Sequence, residues 1–141
     1  MSAHGTHPLI ERIATAINKH DLDGLTECFD DAIESEHPAH PARSFTGRDQ
    51  VRKNWAQILE GVPDLRADLV RAASDGHTAW AEWEWTGTRR DGTPHHHRGV
   101  TLLGIRGGRA AWVRLYVEPV EQGGGAIGAA VRSSLAPGVR S

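Results

Sequence analysis

Residues 77–87 read HTAWAEWEWTG and carry the clearest structural signal in the chain. Side chains of a β-strand point alternately to its two faces, so a two-residue period separates an inner set from an outer set. The pattern predicts a strand whose inner face carries Ala79, Ala81, Trp83 and Trp85. Its outer face would carry Trp80, Glu82, Glu84 and Thr86.

The same period continues on both sides of this strand, from Leu65 to the end of the aromatic-rich sequence near residue 119. Turn-forming pairs separate the apolar stretches at Asp75-Gly76, Asp91-Gly92 and Gly107-Gly108. Such pairs between alternating stretches are typical of β-hairpins. The sequence therefore predicts an antiparallel meander of four strands.

Three helices are predicted before the meander. Apolar residues recur at helical spacing over 8–20, behind a proline that suits a first helical turn. Asp21 can cap a second, shorter helix. Thr46 with Asp49 resembles a capping box for a third helix, which Gly61 ends.

A strand that ends at His37 lies between the second and third helices. The element order is then helix, helix, strand, helix and four strands, which predicts an α+β fold with helices packed on one side of a curved antiparallel sheet. We expect one domain over residues 8–121. A flexible N-terminus at 1–7 and a Gly-rich flexible tail at 122–141 would flank it.

Composition excludes several classes of partner. The chain has 141 residues, with 16 Lys and Arg against 18 Asp and Glu, so its net charge is -2 and no long basic run offers a phosphate-binding surface. Nucleic acid is not an expected partner, and no apolar run is long enough to cross a membrane. Cys28 is the single cysteine, which fits a reducing compartment and predicts a cytoplasmic protein.

The last two strands can be given faces in the same way. If Arg106, Gly107 and Gly108 form a three-residue loop, Ile105 shares the inner face with Val113. The same face would then also carry His97, Gly99, Thr101, Leu103, Leu115 and Val117.

The opposite face is unusually aromatic for a solvated sheet surface, with Trp80, Leu102, Trp112 and Tyr116 among charged residues. We expect a homodimer that forms through this outer face. The alternative is that the stems of arginine and glutamate side chains cover these rings within one monomer.

The run NKHDLDGLTECFDDA at residues 18–32, followed by His37-Pro38, by Gly47 and by a closing Arg-Leu-Tyr116 strand, resembles the nuclear-transport-factor-2-like superfamily. Its SnoaL-like polyketide cyclases and ketosteroid isomerases are the nearest in pattern, over residues 8–120. The resemblance implies a cone-shaped half-barrel. It also implies a scaffold that hosts isomerases, cyclases, dehydratases, epoxide hydrolases and non-catalytic binders.

Residue by residue, the resemblance places His37 where the isomerases carry their carboxylate base. Their two oxyanion donors correspond to Ile13 and Thr101, so one donor is missing and the other is a hydroxyl. The final-strand aspartate of limonene epoxide hydrolases corresponds to Leu115. The resemblance therefore favours neither steroid isomerisation nor epoxide hydrolysis.

His37, His97 and Thr101 are the candidate catalytic residues. An imidazole with a pKa near ~6.5 can accept a proton at neutral pH without further tuning, so His37 is the candidate base. On the assigned faces, His97 and Thr101 form a polar patch in which Thr101 offers a hydroxyl to a substrate oxygen. Alternatively, His37 bonds the backbone at a strand end, and the other two are ordinary rim residues.

Three tryptophans are candidate substrate contacts. Trp55 on the third helix with Trp83 and Trp85 on the sheet would form an aromatic wall for a flat ligand. Their alternative role is a packed core. The apolar remainder of the predicted binding site comprises Leu103, Val113 and Leu115.

Histidines are also the commonest zinc ligands, and the chain has them at His37, His40 and 95–97. Strand alternation turns His96 away from its neighbours, however, and no His-x-x-x-His pair on a helix accompanies them. We predict neither a metal nor a cofactor.

Two functions follow as hypotheses. The first is a cofactor-independent isomerase, cyclase or dehydratase that acts on a small hydrophobic carbonyl or polyketide-like compound by general acid–base catalysis. The alternative is a non-catalytic module on the same fold that binds a small hydrophobic ligand or dimerises. A titratable side chain inside the cavity would favour the first.

Overall fold

The computed structural model describes residues 6–137. In chain order the elements are α1 (Pro8–Asn18), α2 (Leu22–Glu27), β1 (Phe29–Glu36), a 3₁₀ turn (Pro41–Arg43), β2 (Phe45–Thr46), α3 (Arg48–Gly61), β3 (Arg66–Ser74), β4 (Thr78–Thr88), β5 (Pro94–Arg106), β6 (Arg109–Pro119) and α4 (Ile127–Leu135). The predicted α+β class is confirmed.

One curved, unclosed sheet of six strands has the order β2-β1-β6-β5-β4-β3. Strands β3 to β6 form the predicted antiparallel meander. The sheet is not antiparallel throughout, because β1 pairs in parallel with β6. A parallel pair needs a long crossover, and here α3 and the meander supply it. Turn signals report only neighbouring strands, so they could not predict this pairing.

The apolar face of α1 packs into the concave side of the sheet. Leu9, Ile10 and Ile17 are fully buried, and so are Ala79 and Ala81 on β4. Both alanines belong to the same buried core cluster as these α1 residues.

Two side chains tie the end of α1 to β3. The Asn18 amide donates to the Ala67 carbonyl at 2.9 Å and accepts from the Ala67 N–H at 2.7 Å. His20 Nε2 lies 2.9 Å from the Leu65 carbonyl oxygen. These contacts satisfy backbone groups at the outer edge of the sheet, which β3 forms.

The two predicted helix caps have different outcomes. Asp21 caps α2 as predicted, because its carboxylate accepts from the Gly24 N–H at 2.9 Å. The capping box of Thr46 and Asp49 is wrong: α3 begins after Gly47 without a side-chain cap. Thr46 instead belongs to β2, and Gly47 turns the chain at a φ of 102° while donating to the Ile33 carbonyl.

The hairpin between β5 and β6 also differs from the predicted one, in the length of its loop. Arg106 pairs with Arg109 across a two-residue turn, whose glycines both have positive φ, so the predicted three-residue loop is wrong. A bulge at Ala111 then shifts the register by one residue. Leu103 therefore still faces the same side as Val113, and the predicted face assignment survives.

The C-terminal stretch contains a helix that was not predicted. In α4, Ile127, Val131 and Leu135 are exposed at i, i+4 and i+8. The predictions of flexible ends at residues 1–7 and 122–141 fall partly outside the described residues, on 1–5 and 138–141. No helix in the described part of the chain is long and apolar enough to cross a membrane.

Candidate functional site

A cavity of about 870 Å³ lies between the inner face of the sheet and the helices α1, α2 and α3. Its apolar lining comes from all three helices, β1 and the meander: Ile13, Ile17, Leu25, Phe29, Val51, Ile58, Leu103, Val113, Leu115 and Val117. Its polar lining comes mostly from strand ends and connections: Ser35, His37, Arg43, Ser44, Gln50, Asn54, Gln57, Arg89, His95, His97 and Thr101.

His37 reaches this cavity because of its place on β1. Ile33 and Ser35 are buried at alternate positions near the end of that strand, and His37 follows them at the next alternate position, just beyond the strand end. Its backbone is held on both sides: its N–H donates to Ser44 Oγ at 3.2 Å, and its carbonyl accepts from the His40 N–H at 2.8 Å.

One nitrogen of the His37 ring has no hydrogen-bond partner in the described protein. Its Nδ1 atom is buried and makes no hydrogen bond within the described protein, so this nitrogen is not a backbone ligand at the strand end. Burial lowers the pKa of His37 below 6.5, and the charges of Arg43 and His40 lower it further, against an opposing effect of Glu118. The imidazole is therefore neutral at pH 7, the form that accepts a proton.

Thr101 is buried on β5 and bonds directly to a tryptophan. The indole Nε1–H of Trp83 donates to Thr101 Oγ1 at 2.9 Å, and both side chains are more than nine-tenths buried. The hydroxyl oxygen already accepts one bond, so its own proton is free to point at another acceptor. This arrangement pre-orients a hydrogen-bond donor in an apolar surrounding.

His95 and His97 follow strand alternation to the cavity side, and their rings stack with centroids 4.2 Å apart. His97 Nδ1 is buried and without a partner in the described protein. Burial lowers the pKa of both imidazoles; for His97 the charge of Arg89 adds to this effect. His96 points to the other face, where its Nε2 lies 2.7 Å from Glu84.

The three tryptophans form a continuous wall. The Trp55 and Trp85 rings meet edge to face at 5.6 Å, and Trp83 lies 6.2 Å from Trp85. Trp83 is also part of the packed core, with 2% of its surface exposed, and it lines the cavity as well. Trp85 is only half-buried, yet its Nε1 atom is buried and has no partner in the described protein.

Every residue predicted for the site lines this one cavity. The prediction missed several polar residues that share it, and for two of them a signal was present. His95 is two residues before His97 on a strand, and Asn54 lies one helical turn from both Val51 and Ile58. Arg43 in the 3₁₀ turn carried no comparable signal. Within residues 6–137, no group of three or more His, Cys, Asp or Glu side chains could hold a metal ion.

Comparison with known proteins assigns the chain to a family. The model of the SnoaL-like domain matches residues 10–113, which is most of the sequence. The chain belongs to the SnoaL-like domain family. No curated protein matches it.

Solved structures similar to this SnoaL-like protein share its fold at low sequence identity. A hypothetical protein from Catenulispora acidiphila with a ketosteroid isomerase-like fold, determined with trimethylamine, is 20% identical, with a TM-score of 0.67 over 77% of this chain and 84% of its own. A limonene-epoxide-hydrolase-like epoxide hydrolase from M. tuberculosis is 14% identical, with a TM-score of 0.67 over 78% and 80%.

A third similar structure is a protein from Sinorhizobium meliloti that is provisionally named a polyketide cyclase. It is 18% identical, with a TM-score of 0.62 over 80% of this chain and 95% of its own. At such identities the likeness establishes the fold alone. Because these structures of similar fold carry different names, the activity must be argued from the side chains in the cavity.

Proposed function

We propose that this SnoaL-like protein is a cofactor-independent isomerase, cyclase or dehydratase that acts on a small hydrophobic carbonyl or polyketide-like compound. One observation carries the proposal. Three buried polar atoms have no hydrogen-bond partner in the described protein, and their residues all line the same apolar cavity. They are His37 Nδ1, His97 Nδ1 and Trp85 Nε1. Leaving a buried polar group unpaired costs about 1–3 kcal/mol, so these three atoms call for a partner, and a ligand in the cavity can supply it.

The chemistry starts with proton removal. Neutral His37 takes a proton from the carbon next to the substrate carbonyl, and the electron pair of that C–H bond moves to form an enolate. The Thr101 hydroxyl donates to the enolate oxygen, where negative charge develops. The tryptophan wall holds the apolar body of the substrate against the sheet.

The enolate can then take one of three routes. Return of the proton from His37 to another carbon of the conjugated system gives an isomer. Attack of the enolate carbon on a second carbonyl closes a ring, and His37 protonates the new alkoxide. Loss of a β-hydroxyl group, protonated by His37, gives an alkene and water. In each route the imidazole returns to its neutral form.

The test is proton exchange, because all three routes share the first step. Wild-type protein in D₂O should accelerate deuterium incorporation next to the carbonyl in members of a panel of small cyclic ketones and 1,3-diketones, followed by NMR. The rate should rise with pH through a limb below 6.5, the ordinary pKa of histidine, because the folded protein lowers the His37 pKa. His37→Ala should lose about 10²-fold or more of this rate, as expected for a general base.

His96→Ala is the matched control, because His96 faces the other side of the sheet and pairs with Glu84. It should retain the wild-type rate. Circular dichroism of both variants checks that the fold is intact. Exchange that is equally fast in wild type and His37→Ala would contradict the assignment of the base.

A second candidate function has one observation in its favour. Ile13, at the position that the resemblance assigns to an oxyanion donor, is an apolar residue of the cavity. A pocket with one strong donor fewer suits a binder of small hydrophobic ligands. Binding of panel ketones without any acceleration of exchange would identify the protein as a binder.

We also propose a homodimer through the outer sheet face. Tyr116 is 40% exposed there, while Trp80, Leu102 and Trp112 are half-buried in the monomer. Arg114 partly covers this surface, since its guanidinium lies 3.4 Å from the Tyr116 hydroxyl. A cytoplasmic location is likewise proposed, and it rests on the free, buried thiol of Cys28.

A further inference from the structure

The ionised side chains that line the cavity are all positively charged. Among the described residues that line it, the ionised side chains are Arg43 and Arg89, and the titratable ones are the imidazoles of His37, His95 and His97. No aspartate or glutamate belongs to this lining. The carboxylate closest in effect, Glu118, lies outside the lining and is bonded to His40 Nε2 at 2.8 Å.

The two rim arginines also differ from most other arginines of the described chain. Eight arginines elsewhere in residues 6–137 pair with a carboxylate: Arg48, Arg52, Arg66, Arg71, Arg98, Arg106, Arg109 and Arg114. The guanidinium of Arg43 makes no hydrogen bond or ion pair with any described residue. That of Arg89 bonds to Thr93 Oγ1 and the Pro94 carbonyl and forms no ion pair with a described residue, although its charge lowers the pKa of Asp91.

Both charges act on the interior of the cavity. Arg43 lowers the pKa of His37, and Arg89 lowers the pKa of His95 and His97, so each guanidinium lies within electrostatic reach of the cavity imidazoles. The two arginines belong to different elements, the 3₁₀ turn after β1 and the hairpin between β4 and β5. The deep lining is apolar and aromatic. The cavity is therefore amphipathic, with an apolar interior and a cationic rim.

We infer that the cavity takes a carboxylic acid, whose flat apolar body lies against the tryptophan wall and whose carboxylate lies at the rim formed by Arg43 and Arg89. The inference rests on the proposed function, since it names the substrate class of that same cavity. Guanidinium groups pair with carboxylates through two parallel hydrogen bonds, which gives both attraction and orientation. A substrate with this carboxylate at the rim would present its carbonyl deeper, toward His37 and Thr101.

Isothermal titration calorimetry with a matched pair of probes tests this inference. 2-Naphthoate and 2-naphthamide have nearly the same shape and differ in charge. At pH 7.5 the acid should bind wild-type protein about tenfold or more tightly than the amide, a difference equivalent to about 1.4 kcal/mol. Added salt should weaken binding of the acid and leave binding of the amide unchanged.

Arginine variants locate the effect. Arg43→Gln should remove most of the preference for the acid without changing the affinity for the amide, because this side chain has no structural contact to lose. Arg89→Lys, which keeps the charge, should keep most of the preference. Arg71→Gln is the control, since Arg71 is exposed and pairs with Glu82 on β4; it should behave like wild type.

Different outcomes would overturn the ligand class, the rim and the cavity separately. Equal affinities of acid and amide for the wild-type protein would overturn the carboxylate inference while leaving the apolar cavity of the proposed function intact. A preference that survives in Arg43→Gln as fully as in Arg71→Gln would overturn the assigned rim. Failure of both probes to bind would contradict the proposed ligand site itself, and with it this inference.

Discussion

Single side chains in the cavity owe their chemistry to their neighbours. Thr101 would be an unremarkable strand residue, but the bond from Trp83 Nε1 fixes its hydroxyl oxygen as an acceptor and frees its proton. His37 would have an ordinary pKa in water, but burial and the adjacent Arg43 keep it neutral. At this scale function depends on which atoms are already paired and which are not.

Thr101→Val tests the pair with Trp83. Valine keeps the volume but leaves the buried indole N–H without an acceptor, so we expect a loss of about 1–3 kcal/mol in the free energy of unfolding. The exchange rate should also fall, because the donor to the enolate oxygen is gone. Urea unfolding followed by tryptophan fluorescence measures the first effect, and the deuterium assay the second.

Thr101→Ser retains the hydroxyl and serves as the control for this change. It should recover most of the stability and most of the rate. A valine variant as stable as wild type would mean that the indole finds another acceptor.

Strand β5 shows how one element combines both faces of the sheet. Gly104 lies beneath the ring of Trp112 on the outer face: a Cβ atom built at this position would collide with the indole ring. The glycine therefore lets the ring lie flat across the strand. On the other face the same strand carries His97, Thr101 and Leu103 into the cavity.

Gly104→Ala should consequently destabilise the protein by about 1–3 kcal/mol, because the Trp112 ring must leave its place and the sheet must adjust. Gly61→Ala is the matched control: Gly61 ends α3, and a Cβ atom added there would have no neighbouring atom within 4 Å. It should be neutral or gain about 0.4–1 kcal/mol. Equal unfolding midpoints for the two variants would show that the ring over Gly104 moves freely.

The sequence predicted individual helices and strands better than it predicted how they pair. The helical spacing of α1 and the alternation of β4 are local signals, and both elements occur where they were predicted, although α1 ends two residues earlier. The bulge at Ala111 and the parallel pair of β1 and β6 were missed, because each depends on how distant segments meet. The turn dipeptide Gly107-Gly108 located the hairpin but not its exact length.

The whole molecule presents a helix-covered concave side and a convex side on which aromatic residues remain partly exposed. Charged residues such as Arg114 and Glu82 lie among them. A sheet face with partly exposed aromatic residues suits the proposed self-complementary interface, in which the same patch of two copies would meet. This is the basis for testing the homodimer in solution.

Leu102→Glu places a charge in the middle of the outer face and should convert the dimer to a monomer, because an unpaired carboxylate would be buried at the interface. Sedimentation velocity at several protein concentrations measures the change. Ala56→Glu, on the exposed side of α3, is the control and should leave the dimer unchanged. A wild-type protein that sediments as a monomer would contradict the proposed interface.

By itself, the sequence determined the order of the three N-terminal helices, β1 and the meander, the faces of the meander strands and the residue types that meet inside the fold, because hydrophobic periodicity and turn chemistry act between near neighbours. It also identified His37, Thr101 and the tryptophans as candidates. Only the tertiary structure showed that Arg43 and Arg89 line the same cavity as these candidates. It also showed that Nδ1 of His37 has no hydrogen-bond partner in the described protein. Those facts depend on segments tens of residues apart, whose relative placement is set by packing of the entire sheet against its helices.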